Sequence, residues 1–217
     1  MSKDRSLKVW NLREMAYMDT HYGHHSDISD IDCYSRDRVL TAAMDNQVIF
    51  WKINEDSELL YLNRLHTVDT LNMINSQFYI TGSSDNAIDL WTMNKKKPVY
   101  SLEGLHKGDS WVLSTAAMRN SNLFASGSYD GQVICYEFRR DKRDFGVLGR
   151  FKNLPGCINA MKFSHAKSSG DFMQSQGHSQ RFMLAVTHSK EEKHGRWHVQ
   201  KGAKTGVTLL ARKTTEQ

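Results

Sequence analysis

A histidine, a hydroxyl, a carboxylate and an aromatic ring recur along this 217-residue chain at set separations, and the first three are the inventory of a hydrolytic triad. Asp4, Asp45, Asp85 and Asp130 each precede an aromatic residue by six positions: Trp10, Trp51, Trp91 and Tyr136. Four positions before the last three carboxylates stand Thr41, Thr81 and Ser126, and upstream of these come His24, His66 and His106. A catalytic triad occurs once in a chain, whereas this set returns as the aspartate advances by 41, 40 and 45 residues. Recurrence marks a structural device, because a buried polar atom left unpaired costs roughly 1–3 kcal/mol and the members of a mutually satisfied set are needed together. His24, Thr41, Asp45 and Trp51, then His66, Thr81, Asp85 and Trp91, then His106, Ser126, Asp130 and Tyr136, are therefore read as buried structural tetrads. No residue is assigned a catalytic role.

The elements that must hold these sets are strands. Between each carboxylate and its aromatic the apolar residues alternate: Leu7 and Val9, Val48 and Phe50, Ile88 and Leu90, Val133 and Cys135. Four strands in about 40–45 residues is the period of a WD-type propeller blade, so the fold class is all-β, a WD40 β-propeller. The expected division is the end of a blade at 1–20, blades at 21–63, 64–104 and 105–152, and a divergent last blade at 153–217. In that last blade Gly195-Arg196-Trp197 falls where a third strand belongs, with Glu191 six before the tryptophan and Thr187 four earlier. Its first strand is expected at 158–163 and its last at 207–211, with a Ser-, Gly-, Gln- and His-rich insertion at 164–180. Four to five blades form a partial set of a seven-bladed ring. Because the sequence opens on a turn between second and third strands, a fragment of a longer chain or a truncated gene product is expected, a four- or five-bladed ring being the alternative.

Composition narrows the class. The chain is 39% hydrophobic and 24% charged with two prolines, which suits a packed core and excludes collagen-like and low-complexity classes. No run approaches the roughly 18 apolar residues of a membrane helix, no signal-peptide pattern opens the sequence, and three dispersed cysteines suit neither a disulfide framework nor a zinc ribbon. The net charge of +5 conceals a division: residues 1–138 hold 13 Lys and Arg against 18 Asp and Glu, and residues 139–217 hold 16 against 6. Such asymmetry is a mark of chains that meet nucleic acid or another polyanion.

Several segments resemble the WD-repeat family of the U3 small nucleolar ribonucleoprotein. These are Asp4 to Asn11, Val48 to Ile53, the basic run Lys95-Lys96-Lys97-Pro98 that closes a blade, Ile158 to Phe163, Ser169-Gly170-Asp171-Phe172 and Gly195-Arg196-Trp197. The likeness covers nearly the whole chain; Tyr136 in place of tryptophan, and Leu65 and Leu105 in place of the glycine before histidine, depart from it. The resemblance implies a non-catalytic nucleolar scaffold that binds U3 small nucleolar RNA beside a kink-turn-binding protein and processome partners, in pre-ribosomal RNA processing.

Candidate RNA contacts are the clusters Lys95, Lys96, Lys97 and Arg139, Arg140, Lys142, Arg143, placed in matching turns of adjacent blades and hence on one face. Arg196, Lys201 and Lys204 are assigned to the corresponding region of the last blade. A protein-only scaffold, a substrate receptor or chromatin adaptor, is the alternative function. No metal site, cofactor, small-molecule substrate or nucleotide motif is expected: His21, His24 and His25 are close together, and His194 and His198 are four apart, but the latter pair flanks an expected strand and not a helix face.

Overall fold

The computed structural model describes residues 3–35, 37–62, 66–108, 110–165, 181–194 and 199–213. Among them every regular element is a strand except one 3-10 turn, Ile53–Glu55, and no helix is long and apolar enough to cross a membrane. A two-stranded ribbon, β1 (Ser6–Asn11) and β2 (Ala16–Tyr22), comes first. Three four-stranded antiparallel meanders follow. They are β3 (Ile28–Ser35), β4 (Arg38–Ala43), β5 (Gln47–Lys52) and β6 (Ser57–Leu62); β7 (Val68–Met73), β8 (Phe78–Ser83), β9 (Ala87–Thr92) and β10 (Tyr100–Glu103); and β11 (Val112–Ala117), β12 (Leu123–Ser128), β13 (Val133–Arg139) and β14 (Asp144–Phe151). The last sheet has three strands among the described residues, β15 (Cys157–His165), β16 (Arg181–Ser189) and β17 (Gly206–Lys213).

Local chemistry fixes the turns that carry the recurring carboxylates. Asp45 and Asp130 each accept the backbone N–H two residues on, at 3.1 Å from Gln47 and 3.0 Å from Gln132. The next residue bends left-handed, Asn46 at φ 64°, Asn86 at φ 62° and Gly131 at φ 71°, which only glycine and short polar side chains adopt cheaply.

The core lies in the seams between successive sheets. Leu40, Val48 and Tyr61 of one sheet meet Leu71, Tyr79 and Trp91 of the next, and Ile80 and Leu90 meet Phe124, Tyr136 and Phe145 beyond. All six residues of β8 and of β9 are buried, since both faces of their sheet are covered. Close approach depends on glycine at matching positions: a Cβ on Gly82 would lie 2.5 Å from Val112 Cγ1, and one on Gly127 would lie 2.3 Å from Ile158 Cγ2. The fifth sheet differs. Ile158, Met161, Leu184 and Val186 pack inward, while Val207 and Leu209 on its other face are 67% and 66% exposed.

The four inner strands β3, β7, β11 and β15 stand side by side, joined through side chains. Ser29 Oγ donates to Val68 O, Asp30 Oδ2 accepts Leu71 N–H at 2.9 Å, Asp32 Oδ2 accepts Met73 N–H at 2.8 Å, and Thr70 Oγ1 accepts Thr115 N–H at 3.0 Å. Ser114 Oγ continues the series to Ile158 O at 2.9 Å. These bonds satisfy backbone groups that diverging strands cannot pair directly. They also set the strands parallel in register, so the molecule has a proximal end, where inner strands begin, and a distal end, where they finish.

The last sheet departs from expectation. β17 pairs with β16 from Arg181↔Lys213 to His188↔Gly206, so the segment expected as a last strand is the third strand of its sheet. The connection from Ser189 to Gly206 carries instead an isolated bridge between Glu191 and Val199, and Trp197 lies outside the described residues. A Glu-for-Asp copy of the repeat therefore does not stand at Glu191. β15 continues through Ser164 to His165, past the expected start of the insertion, whose residues 166–180 lie outside the described ones.

Candidate nucleic-acid interface

The first tetrad is one hydrogen-bonded chain. Trp51 Nε1–H donates to Thr41 Oγ1 at 2.8 Å, Thr41 Oγ1 lies 2.7 Å from His24 Nε2, and His24 Nδ1 lies 3.2 Å from Asp45 Oδ2. Because the hydroxyl accepts from the indole, its own proton goes to Nε2, which leaves Nδ1–H to donate to the carboxylate; a neutral imidazole satisfies every member. The order hydroxyl, imidazole, carboxylate is that of a hydrolase, yet Thr41 has no exposed surface, so no substrate can reach its oxygen. Burial pushes the Asp45 carboxyl up, and the bonds from His24, His25 N–H and Gln47 N–H outweigh it and hold the group below its ordinary value.

Tyr136 takes the place of tryptophan in the corresponding set. Its phenolic oxygen lies 2.9 Å from Ser126 Oγ, which lies 2.9 Å from His106 Nε2. Burial pushes the phenol up, so it stays protonated and can donate. The far end is looser. His106 Nδ1 is 3.5 Å from Asp130 Oδ1, an electrostatic contact longer than a good hydrogen bond, and Asp130 is held instead by Lys107 N–H and Gln132 N–H, both at 3.0 Å.

The middle set is incomplete, contrary to the four-membered expectation. Trp91 Nε1–H donates to Thr81 Oγ1 at 2.9 Å, but His66 is exposed, and Asp85 Oδ1 is buried without a hydrogen bond. Asn86, which the spacing did not single out, ties this sheet to the next. Its Nδ2 donates to the carbonyls of His106 and Gly108, both at 2.9 Å, and its Oδ1 accepts His106 N–H at 3.1 Å. An Asp-Asn pair in a hairpin turn was the available signal. At the amino-terminal ribbon Asp4 takes Ser6 N–H and Lys8 Nζ, and Trp10 is 57% exposed against Tyr17.

The cation clusters divide between the two ends. Lys95, Lys96 and Lys97 are exposed in the turn from β9 to β10, and Arg140, Lys142 and Arg143 are exposed in the turn from β13 to β14. Both turns are distal, and one residue touches both: Gln77 O accepts Met93 N–H at 3.0 Å, and Gln77 Oε1 accepts Arg140 Nη2–H at 3.3 Å. Arg139 is already committed, its guanidinium forming a fork with Asp144 at 2.7 and 3.0 Å. A further distal cation, Arg119, lies nearer the inner strands and pairs with Asp32 at 2.7 Å. Lys201 and Lys204 are placed elsewhere. With β17 as third strand, they sit in the connection from second to third strand, at the proximal end, where Lys204 N–H donates to Pro155 O at 2.7 Å. Arg196 lies outside the described residues. Among the described residues no group of three or more His, Cys, Asp or Glu could hold a metal ion.

Repeated four-stranded meanders with inner-strand ladders and buried hydroxyl–aromatic locks, two of them completed by histidine, define a WD40-repeat protein with a partial β-propeller, and the family described as WD domain, G-beta repeat matches residues 16–52 and 96–137. Within that class the chain is homologous to proteins of the U3 snoRNP. It is 30% identical over 222 residues to the U3 snoRNP-associated protein-like EMB2271 of Arabidopsis thaliana, covering 96% of this chain and 43% of that protein. It is 33% identical over 164 residues to the U3 small nucleolar RNA-interacting protein 2 of Mus musculus, covering 72% and 31%. Among solved structures it matches the RRP9 WD40 repeats with a TM-score of 0.83 at 31% identity, over 98% of this chain and 62% of that one. The chain thus spans less than half the length of these curated relatives.

Proposed function

We propose that this chain is a non-catalytic WD40 scaffold of a small nucleolar ribonucleoprotein, which binds U3 small nucleolar RNA and partner proteins, a kink-turn-binding protein among them, during pre-ribosomal RNA processing in the nucleolus. The observation that carries the RNA contact is the shared hold of Gln77 on the turn of Lys95–Lys97 and on Arg140. It sets six exposed cations, Arg139 being paired, on one distal surface. A Lys and Arg surface on rigid turns suits recognition of folded RNA, which is read through phosphates and shape. The buried hydroxyls of the tetrads agree with a role in which the fold presents surfaces and performs no chemistry.

The test is crosslinking in cell extract followed by sequencing of the attached RNA, paired with binding of the U3 small nucleolar RNA across a salt series. Enrichment of that RNA and a steep fall of affinity with salt are expected. Recovery of protein partners with no RNA would favour the protein-only scaffold instead.

A further inference from the structure

We infer that the proximal end carries a second phosphate-binding surface, on the face opposite the distal turns, so that one molecule holds two RNA segments at once. The surface is built from loops of adjacent sheets that hydrogen bonds make contiguous. Arg150 Nη1 donates to Leu105 O at 2.6 Å, Lys107 N–H to Asp130 Oδ2 at 3.0 Å, Leu154 N–H to Gly131 O at 3.1 Å, and Lys204 N–H to Pro155 O at 2.7 Å. Along that line stand the exposed cations Lys107, Arg150, Lys152, Lys190, Lys201 and Lys204. The connection that supplies the last three is pinned in place. Asn159 on β15 donates to Ser189 Oγ and Glu191 O and accepts Lys193 N–H at 3.1 Å, and His188 lies 2.8 Å from Lys204 O and 3.1 Å from Thr208 Oγ1.

Carboxylates offset this charge mainly at the Lys107 end, where Asp130, kept ionised by its N–H donors, and Asp85 are half-buried and Glu103 is exposed; around Lys152, Lys190, Lys201 and Lys204 the exposed acid among the described residues is Glu191, Glu192 being buried. Two ends separated by the inner strands and their neighbours, six to nine residues long apart from the four-residue β10, lie roughly 20–30 Å apart at about 3.3 Å per residue. That exceeds the Debye length of about 8 Å at physiological salt, so the two surfaces do not act on the same phosphates. An RNA bound at the distal turns leaves the proximal cations for another segment. The inference extends the RNA reading above but does not depend on the same residues.

The experiment uses the full chain and two short RNA duplexes, one carrying a donor fluorophore and one an acceptor. The wild-type chain is expected to bring them together and give sensitised emission, with two duplexes bound per protein at saturation. Substituting Lys152, Lys190, Lys201 and Lys204 by Ser should abolish the emission while one duplex still binds, and substituting the same four by Arg should restore it. Matching circular dichroism melts identify folded variants, and the Arg set controls for packing by the lysine stems. Unchanged emission in the Ser variant, or one duplex per wild-type chain at saturation, overturns the inference. If substituting the distal turns leaves two duplexes bound while the proximal change leaves one, the proximal surface stands and the distal reading falls.

Discussion

The Tyr34 phenol donates to Asn120 Oδ1 at 2.9 Å although a whole sheet lies between theirs. Beside it Arg119 reaches Asp32, and Asn120 N–H donates to Ile74 O at 2.9 Å in the sheet between. Three inner-strand loops are thereby tied at the distal end. Replacing Arg119 by Ala should change global stability by at most about 1 kcal/mol, as for exposed ion pairs, yet speed amide exchange at Asn120 and Met73. Hydrogen exchange read by NMR checks this, and unchanged rates there would mean the tether carries no strain.

Thr41→Val should cost about 1–3 kcal/mol, because both the Trp51 N–H and His24 lose their partner. Thr81→Val should cost less, since His66 does not join that set and the Trp91 N–H alone is orphaned. Urea denaturation of the two variants gives the order directly; equal losses would show that the histidine adds nothing to the lock.

The carboxyls of Asp45 and Asp130 are held below their ordinary values, against burial, Asp45 by His24 and backbone N–H donors and Asp130 by backbone N–H donors with His106 nearby. A depressed folded value means that their stabilisation is complete above the unfolded carboxyl range, near pH 4, and is lost as pH falls through the folded values. Asp45→Asn should flatten the acid limb of a stability–pH curve below about pH 4. A limb with the same slope in wild type and variant would assign acid unfolding to other groups.

How far these sites could be read from the chain varies with how local their chemistry is. Asp45, Thr41 and Trp51 lie within one hairpin, so their spacing is dictated by strand pairing, and the register Val39↔Trp51, Thr41↔Ile49 follows. His66 comes from the preceding loop, which has no such constraint, and its exposure is not encoded in the distance to Asp85. A count of six puts the third strand of the last sheet at Trp197, but β17 takes that position through its pairing with Val186 and Leu184, a long-range preference that no local motif announces. The same count puts Lys201 and Lys204 at the distal end, whereas the connection from β16 to β17 is proximal. The role of Asn86 is not written in local spacing, since its partners are backbone groups of His106 and Gly108, twenty and more residues away.

Gly127→Ala should destabilise by about 1–3 kcal/mol, because its Cβ would fall 2.3 Å from Ile158 Cγ2 and 3.0 Å from Ser114 Oγ. Ile158→Ala, which removes that Cγ2, should cost less in the Gly127→Ala chain than it does alone. Thermal melts of the single and double variants read this coupling, and strict additivity would place the strain elsewhere.

Replacing Lys95, Lys96, Lys97, Arg140, Lys142 and Arg143 by Ser should weaken binding to the small nucleolar RNA and lower the slope of log affinity against log salt by about 0.7–0.9 for each phosphate no longer neutralised. Arg139→Ser should alter the slope little, since Asp144 already neutralises it. An unchanged slope in the sextuple variant would make those turns bystanders. Stability of both variants should stay within about 0.5 kcal/mol of wild type.

The side-chain rungs between inner strands give the molecule an uneven mechanical grain. Within a sheet, neighbouring strands share a full ladder of amide bonds; between sheets, the inner strands share only rungs such as Asp30 to Leu71 and Thr70 to Thr115. Pulled from its two ends, the chain should part at those rungs and at the apolar seams behind them before any meander unzips. It would lengthen in steps of one sheet at a time, like plates separating along scored lines.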